Sequence, residues 1–381
     1  MPNAFYTDTY TNLFSKCGYA QEEIDARLHE LMYEITESPE NRFYFREGAD
    51  LGYIVDTGNN DVRTEGMSYI MMAFVQLNMK EDFDRTWKWA KTYMYQTEGG
   101  NRGYFAWSCA RDGTKNAQGP APDGEEYFAL ALFFASHRWG DGEGIFKYSQ
   151  EARDLLSDCI HKPRYDGDGD PMWDPQTKQI KFVPNCDFTD TSYHLPHFYE
   201  LFALWSNEED RTFWKAAAQA SRDHIKSACH PVTGLAPEYA FYDGTPNQHK
   251  NNRHLYYSDA YRVAANIGLN YEWFANNEDE YLTTIADNIQ NFFFDTVAGN
   301  DDMVYELDGR IVPCTKALHP VAIIATNAQA SLAAKGEYKR AAIEKFWRTP
   351  PRTGDRRYYD NCLYLFAFLA LSGNYKIYKP Q

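Results

Sequence analysis

Apolar residues recur along this 381-residue chain in two patterns that take turns. In the first they return every third or fourth position with charges between: EEIDARLHELMYEITE, EDFDRTWKWAKTYM, YSQEARDLLSDCI, NEEDRTFWKAAAQASRDHIKSAC, NEDEYLTTIADNIQNFFF and GEYKRAAIEKFW. That spacing predicts amphipathic helices with one wet face. In the second, apolar residues run nearly all round and a polar residue opens the segment: TEGMSYIMMAFVQL, DGEEYFALALFFASHRW, DTSYHLPHFYELFALW, SDAYRVAANIGLNYEWF, HPVAIIATNAQASLA and DNCLYLFAFLALSG. A helix without a wet face is buried on several sides.

Six wet and six dry segments in strict alternation predict an all-α fold, an (α/α)6 toroid with six inner helices wrapped by six outer ones. No linker, low-complexity tract or shift of composition divides the chain, so residues 1–381 are expected to form a single domain. The alternative is an open solenoid of helix pairs, which usually keeps a fixed period. The dry segments open near Glu65, Asp123, Asp190, Asp259, His319 and Asp360, at uneven intervals, and long Gly/Pro/Asp-rich loops such as HKPRYDGDGDPMWDPQ suit a closed ring with one elaborated face.

The formal charge of −16, without any Lys/Arg-rich run, would repel a phosphate backbone, so no nucleic-acid partner is expected. No stretch reaches about 18 consecutive apolar residues, so no membrane partner is expected either. The start, MPNAFYTDTYTNLF, lacks the basic and apolar regions of a secretory signal, and the seven scattered cysteines form no CxxC pair. Both features predict a reduced, cytoplasmic protein. The outlier is aromatic content: 9 Trp, 29 Tyr and 24 Phe. A large core absorbs many of these, but an excess of tyrosine also suits a sugar cleft, where rings meet C–H faces and polar tips meet hydroxyls.

If the dry helices form an inner ring, their N-termini converge, and Glu65, Asp123, Asp190, Asp259 and Asp360 crowd one rim with Trp107, Tyr193, His319 and Arg356 or Arg357 nearby. Taken singly, each acid reads more readily as a helix cap or first-turn residue facing the helix dipole, and Asp190 and Asp360 stay in that class. Glu65 differs, because Thr64 and Asp61 already offer capping chemistry. Gly66 after it costs about 1 kcal/mol of helix propensity relative to Ala, so a small residue there leaves room for a ligand.

Carboxylates in an aromatic-rich cleft suit glycoside hydrolysis, in which one protonated acid serves the leaving oxygen and one ionised carboxylate serves as base or nucleophile. This chemistry calls for no metal and no cofactor. Other motifs are weaker. Asp166, Asp168 and Asp170 have calcium-loop spacing, but Pro171 stands where glycine is required and Thr177 where a bidentate glutamate belongs. His194 and His197 in HLPHFYE lack the HExxH pattern and have Pro196 between them, so they read as core or cleft-wall residues. No nucleophile elbow, P-loop or dinucleotide fingerprint is present.

Four segments together resemble glycoside hydrolase family 8, from about residue 45 to the C-terminus: RTEGMSYIMM, GPAPDGEEYFALAL, DTSYHLPHFYELF and YYSDAYRVAAN. The resemblance implies an inverting hydrolase of (α/α)6 fold, with Glu65 as general acid, Asp259 as general base and Asp123 holding the sugar at the cleavage point in a distorted ring shape. It also implies that Tyr193 helps to fix the attacking water. The family members most similar to this chain are intracellular and release single xylose units from the reducing end of β-1,4-xylo-oligosaccharides. In them a loop before the tenth helix closes the cleft beyond one sugar. Its counterpart here is ELDGRIVPCTKALHP, with His319 contacting the reducing-end sugar, and Trp107, Tyr358 and Arg262 are expected at the cleft wall. Two other readings stand beside this one: an endo-acting family 8 xylanase or glucanase, and a non-catalytic helical sugar-binding or scaffold protein.

Overall fold

A computed structural model gives the structure of the protein and describes residues 3–164, 166–249, 253–276 and 279–380. The six dry segments are the helices Thr64–Gln76, Pro122–Trp139, Pro196–Trp205, Arg262–Phe274, Pro320–Gln329 and Arg357–Leu371. The six wet ones are Gln21–Thr36, Lys80–Trp89, Tyr148–Ile160, Arg211–Ala228, Glu280–Asn291 and Lys339–Arg348. Positions 277 and 278, where the fifth wet segment was expected to open, lie outside the described residues.

The third and fourth dry segments start differently from expectation. Residues Thr191–Tyr193 form a single 3-10 turn, and the α-helix begins only at Pro196. Two local preferences account for this: the residue before a proline is driven out of the helical region, and the Asp190 side chain bonds its own backbone two residues on. Likewise a 3-10 turn, Ser258–Tyr261, precedes the helix that starts at Arg262.

Four two-stranded antiparallel sheets interrupt the helical pattern, among them Val62–Arg63 with Ser108–Cys109, Thr189–Asp190 with Tyr239–Ala240, and Met303–Tyr305 with Ile311–Lys316. The last of these is the region expected as the loop before His319.

By density of internal contacts the chain falls into two compact units. One comprises Met1–Met32, Phe188–His197 and Ser221–Lys376; the other comprises Tyr33–Asp187, Phe198–Ala220 and Ile377–Gln381. In the second unit Thr64–Gln76 lies along Pro122–Trp139, and Lys80–Trp89 and Tyr148–Ile160 each cover one of them. Contact between the two dry helices is close enough to require Gly124: a Cβ there would meet the Thr64 side chain at 2.5 Å.

In the first unit Arg262–Phe274, Pro320–Gln329 and Arg357–Leu371 pack together, with Glu280–Asn291 and Lys339–Arg348 against them. Gly268 plays the same part, since a Cβ would sit 2.2 Å from the Gln329 carbonyl oxygen. Much of the aromatic excess is core: the largest fully buried side chains, Trp87, Trp173, Trp214, Tyr199 and Tyr256 among them, are all Trp or Tyr. Among the described residues, no helix is long and apolar enough to cross a membrane.

Candidate active site

Glu65 is the one residue of the Thr64–Gln76 helix that is not buried. The strand pair before it sets its surroundings. Val62 and Arg63 pair with Cys109 and Ser108, and the Thr64 N–H donates to the Trp107 carbonyl at 3.0 Å, which brings half-buried Trp107 to the start of the helix. The Arg63 guanidinium lies 5.2 Å from the Trp107 ring centre and pairs with Asp56 at 3.1 Å and Asp61 at 3.0 Å.

The expected capping by Thr64 and Asp61 is not what the structure shows. The cap position is Arg63, whose side chain makes no capping bond, and Thr64 is already the first helical residue. Its buried hydroxyl has no partner among the described residues. Asp61 instead accepts from Arg63 Nε and from the Ser108 hydroxyl at 2.8 Å, so its carboxylate ties the two strands together.

Asp123 flanks the Gly124–Thr64 contact, which places it beside the first turn that carries Glu65; it is buried, and its Oδ1 accepts the Gly124 N–H at 3.0 Å. Two further acids follow on the same helix. Glu125 accepts the Phe105 N–H at 3.0 Å, and burial, reinforced by the nearby charge of Asp123, pushes its carboxyl up to about 8. Glu126 accepts the Tyr199 hydroxyl. Glu125 thus anchors the strand segment that leads to Trp107, a role that the sequence reading did not identify.

Asp259 and its neighbours belong to the other unit. The small sheet pairs Asp190 with Tyr239, and the Thr191 N–H donates to the Glu238 carbonyl at 3.0 Å, so the Asp190 and Glu238 side chains enter the same buried space. Asp259 approaches from the 3-10 turn with its side chain 24% exposed. Carboxylate oxygens of Asp190, Glu238 and Asp259 lie within 4.8 Å of one another. Two arginines answer this charge: Arg253 pairs with Glu238, and Arg262 stands 3.5 Å from Asp259 and 5.4 Å over the ring of buried Tyr193.

Three carboxylates are a minimal donor set for a hard cation, but the guanidinium groups already supply positive charge here. Burial pushes the Asp190 carboxyl up, as does the Asp259 charge, with Arg262 opposing. Burial likewise drives Glu238 to about 10, with Asp259 and Asp190 adding and Arg253 opposing. The Arg253 ion pair opposes that rise and favours an ionised Glu238.

Ser258, just before Asp259, has φ 45, a left-handed conformation that costs a non-glycine residue about 1–3 kcal/mol and recurs at functional positions. Its carbonyl accepts the Tyr359 hydroxyl at 3.4 Å, and the Tyr359 ring lies 4.6 Å from that of His319. His319 is buried, with Nδ1 3.0 Å from Asp360.

Asp360 does not cap its own helix. It also accepts the Ala322 N–H at 2.8 Å and an Arg352 hydrogen bond, so it caps the Pro320–Gln329 helix and holds His319 there. Tyr358, in the first turn of the Arg357–Leu371 helix, is 2% exposed.

Asp190 does cap its short turn, accepting the Ser192 N–H at 2.8 Å, yet it also belongs to the acid cluster. Glu238, Arg253 and Tyr359 were missed altogether; the only local sign was an acid between apolar residues in LAPEYAF. The other weak motifs resolve as structural. Asp168 accepts from Arg102 at 2.8 Å and from the Arg164 N–H at 2.9 Å. His194 is bonded to Thr189 and Ser221 hydroxyls, and buried His197 packs against Trp273.

The model of the glycosyl hydrolases family 8 matches residues 39–373. The chain is 58% identical over 381 residues to the reducing end xylose-releasing exo-oligoxylanase of Halalkalibacterium halodurans, covering 99% of this chain and 97% of that protein. It is 50% identical over 388 residues to the protein of the same name from Bifidobacterium adolescentis, covering 99% and 100%. A crystal structure of a reducing end xylose-releasing exo-oligoxylanase matches with a TM-score of 0.96 at 59% identity, over 100% of this chain and 99% of the other. A variant complexed with xylobiose matches with a TM-score of 0.96 at 57% identity over 100% of both chains. With the twelve alternating helices, these likenesses make the fold class (α/α)6.

Proposed function

This chain belongs to the glycosyl hydrolases family 8, and we propose that it releases xylose from the reducing end of β-1,4-xylo-oligosaccharides by inverting hydrolysis. It is a glycoside hydrolase. The observation that carries the substrate is likeness sustained over nearly the full length of both partners, at 50% identity or better to three relatives with that named activity.

In this reading Glu65 is the general acid, donating its proton to the glycosidic oxygen. Its support is local: it is the only unburied residue at the head of an otherwise buried helix. Asp259 is the general base. Its carboxylate keeps partial access to water while Arg262 pairs with it, and the strained Ser258 aims it. It draws a proton from a water that attacks the anomeric carbon on the face opposite the leaving group, which inverts the configuration.

Asp123 holds the sugar being cleaved, Tyr193 orients the water beside Arg262, and Trp107, His319 and Tyr358 line the sugar sites. The His319 region, reached through the hairpin Met303–Tyr305 and Ile311–Lys316, limits the leaving side to one xylose. We read residues 1–381 as one catalytic domain acting in the cytoplasm, in keeping with seven cysteines that are all free thiols. Recovery of the activity outside the cytoplasmic fraction would overturn that location.

The test is a short digestion of reducing-end-labelled xylotetraose, with products sized and new anomers read by proton NMR. Labelled xylose released first, with the α-anomer forming, is the expected result. Labelled xylobiose first would mean endo action, and no cleavage would sink the hydrolase reading.

A further inference from the structure

Two buried oxygens beside Asp259 lack a hydrogen-bond partner among the described residues: Asp190 Oδ2 and Glu238 Oε2. Both residues are 0% exposed. Their other oxygens are engaged, Asp190 Oδ1 by the Ser192 N–H at 2.8 Å and hydroxyl at 2.6 Å, and Glu238 Oε1 by Arg253. A buried carboxylate oxygen without a donor is costly, and adjacent like charges disfavour each other's ionisation. A single proton held between the two acids relieves both penalties, and since carboxylate oxygens of the cluster lie within 4.8 Å of one another, one bridging water is enough to pass it.

We propose that Asp190 and Glu238 share one proton and act as paired positioning residues for Asp259. The pair keeps one negative charge, and its hydroxyl is a donor within the cluster that fixes the orientation of the base carboxylate. The inference rests on Asp259 being the general base. Facing it are Asp190, Glu238 and Tyr239 from the small sheet, Arg253 and Tyr257 from the chain leading into the turn, and Arg262 from its own helix. Burial raises both tyrosines, which stay neutral, and the arginines are fixed cations.

Shared protonation gives a non-additive signature. In Asp190→Asn, Glu238 is left ionised; in Glu238→Gln, Asp190 ionises in its place. Either single variant keeps one negative charge beside Asp259, and only the double variant removes it. The acid limb of kcat/KM, which reports the ionisation of the base, should therefore stay in place in each single variant. In the double variant it should move to lower pH by roughly one unit, because an anion beside the base has gone. Equal steps in the two single variants that sum to the double would show two independent anions, and a limb unmoved in all three would show a purely structural pair; either overturns the proposal.

Infrared difference spectra give a second measurement that does not depend on activity. At neutral pH one carboxylic acid C=O band of the wild type, beside those of Glu65 and Glu125, should be lost in both single variants. Loss in one only would assign the proton to a single residue and overturn sharing, as would loss in neither. A separate Asp259→Asn variant distinguishes the two failures: retained hydrolysis there would sink the base assignment while leaving the infrared result standing.

Discussion

At the scale of single residues, the proposed mechanism asks two carboxylates with different surroundings to do opposite work. Glu65 is the one residue of its helix that is not buried, whereas Asp259 is held by a strained turn among other charges. Glu65→Gln and Asp259→Asn should each lower kcat about 10²–10⁴-fold or more, the usual worth of a general acid or base, with little change in Tm. Initial rates on xylotriose and a thermal melt check this, and near wild-type turnover in either variant would remove that residue from the mechanism.

Glu125 makes a different prediction. Its carboxyl titrates near 4.5 in the unfolded chain and near 8 when folded. Between those values the folded state holds a proton that the unfolded state has released, so its contribution to stability is lost as pH rises through that window. Glu125→Gln cannot release that proton. Its Tm should match the wild type near pH 5 and exceed it by several degrees near pH 8, on the order of 1–4 kcal/mol. Parallel Tm-against-pH curves would show that Glu125 is not the group responsible.

At the scale of elements, two glycines set how closely the dry helices approach, Gly124 against Thr64 and Gly268 against Gln329. The neighbour differs. At Gly124 a turn of the Thr64 side chain moves its hydroxyl at 2.7 Å but not its Cβ at 2.5 Å, whereas at Gly268 the Gln329 carbonyl oxygen belongs to the helix backbone and is closer still, at 2.2 Å. Gly268→Ala should therefore cost more than Gly124→Ala, within the roughly 1–3 kcal/mol typical of overpacking. Chemical denaturation of the two variants tests the order, and equal stability to the wild type in Gly268→Ala would mean that the helices separate freely.

The helices themselves were legible because burial repeats every three or four residues along the wet ones and runs almost unbroken along the dry ones. Strands such as Val62–Arg63 and Thr189–Asp190 were not, since two residues are too few to show a period. Yet those strands place Trp107 beside the Glu65 helix and Asp190 beside Glu238.

At the scale of the whole molecule, each compact unit is assembled from three separated stretches of chain, so neither can be cut out as a continuous piece. The single-domain reading predicts one cooperative unfolding transition, with calorimetric and van't Hoff enthalpies in agreement. Two resolved transitions would show instead that the units unfold separately.

The alternating wet and dry patterns were enough to specify twelve helices and which of them are buried, because helical burial is written locally. The residues around Glu65 and Asp259 were enough to nominate both acids as candidates through family likeness. Only the tertiary structure decided which side chains meet. Asp360 reaches across to cap another helix, Asp61 ties two strands instead of capping, and Glu238, silent in the sequence, joins Asp190 and Asp259. The physical reason is the same in each case: a local pattern records whether a residue is buried, while its charge partner comes from a distant stretch brought near by packing.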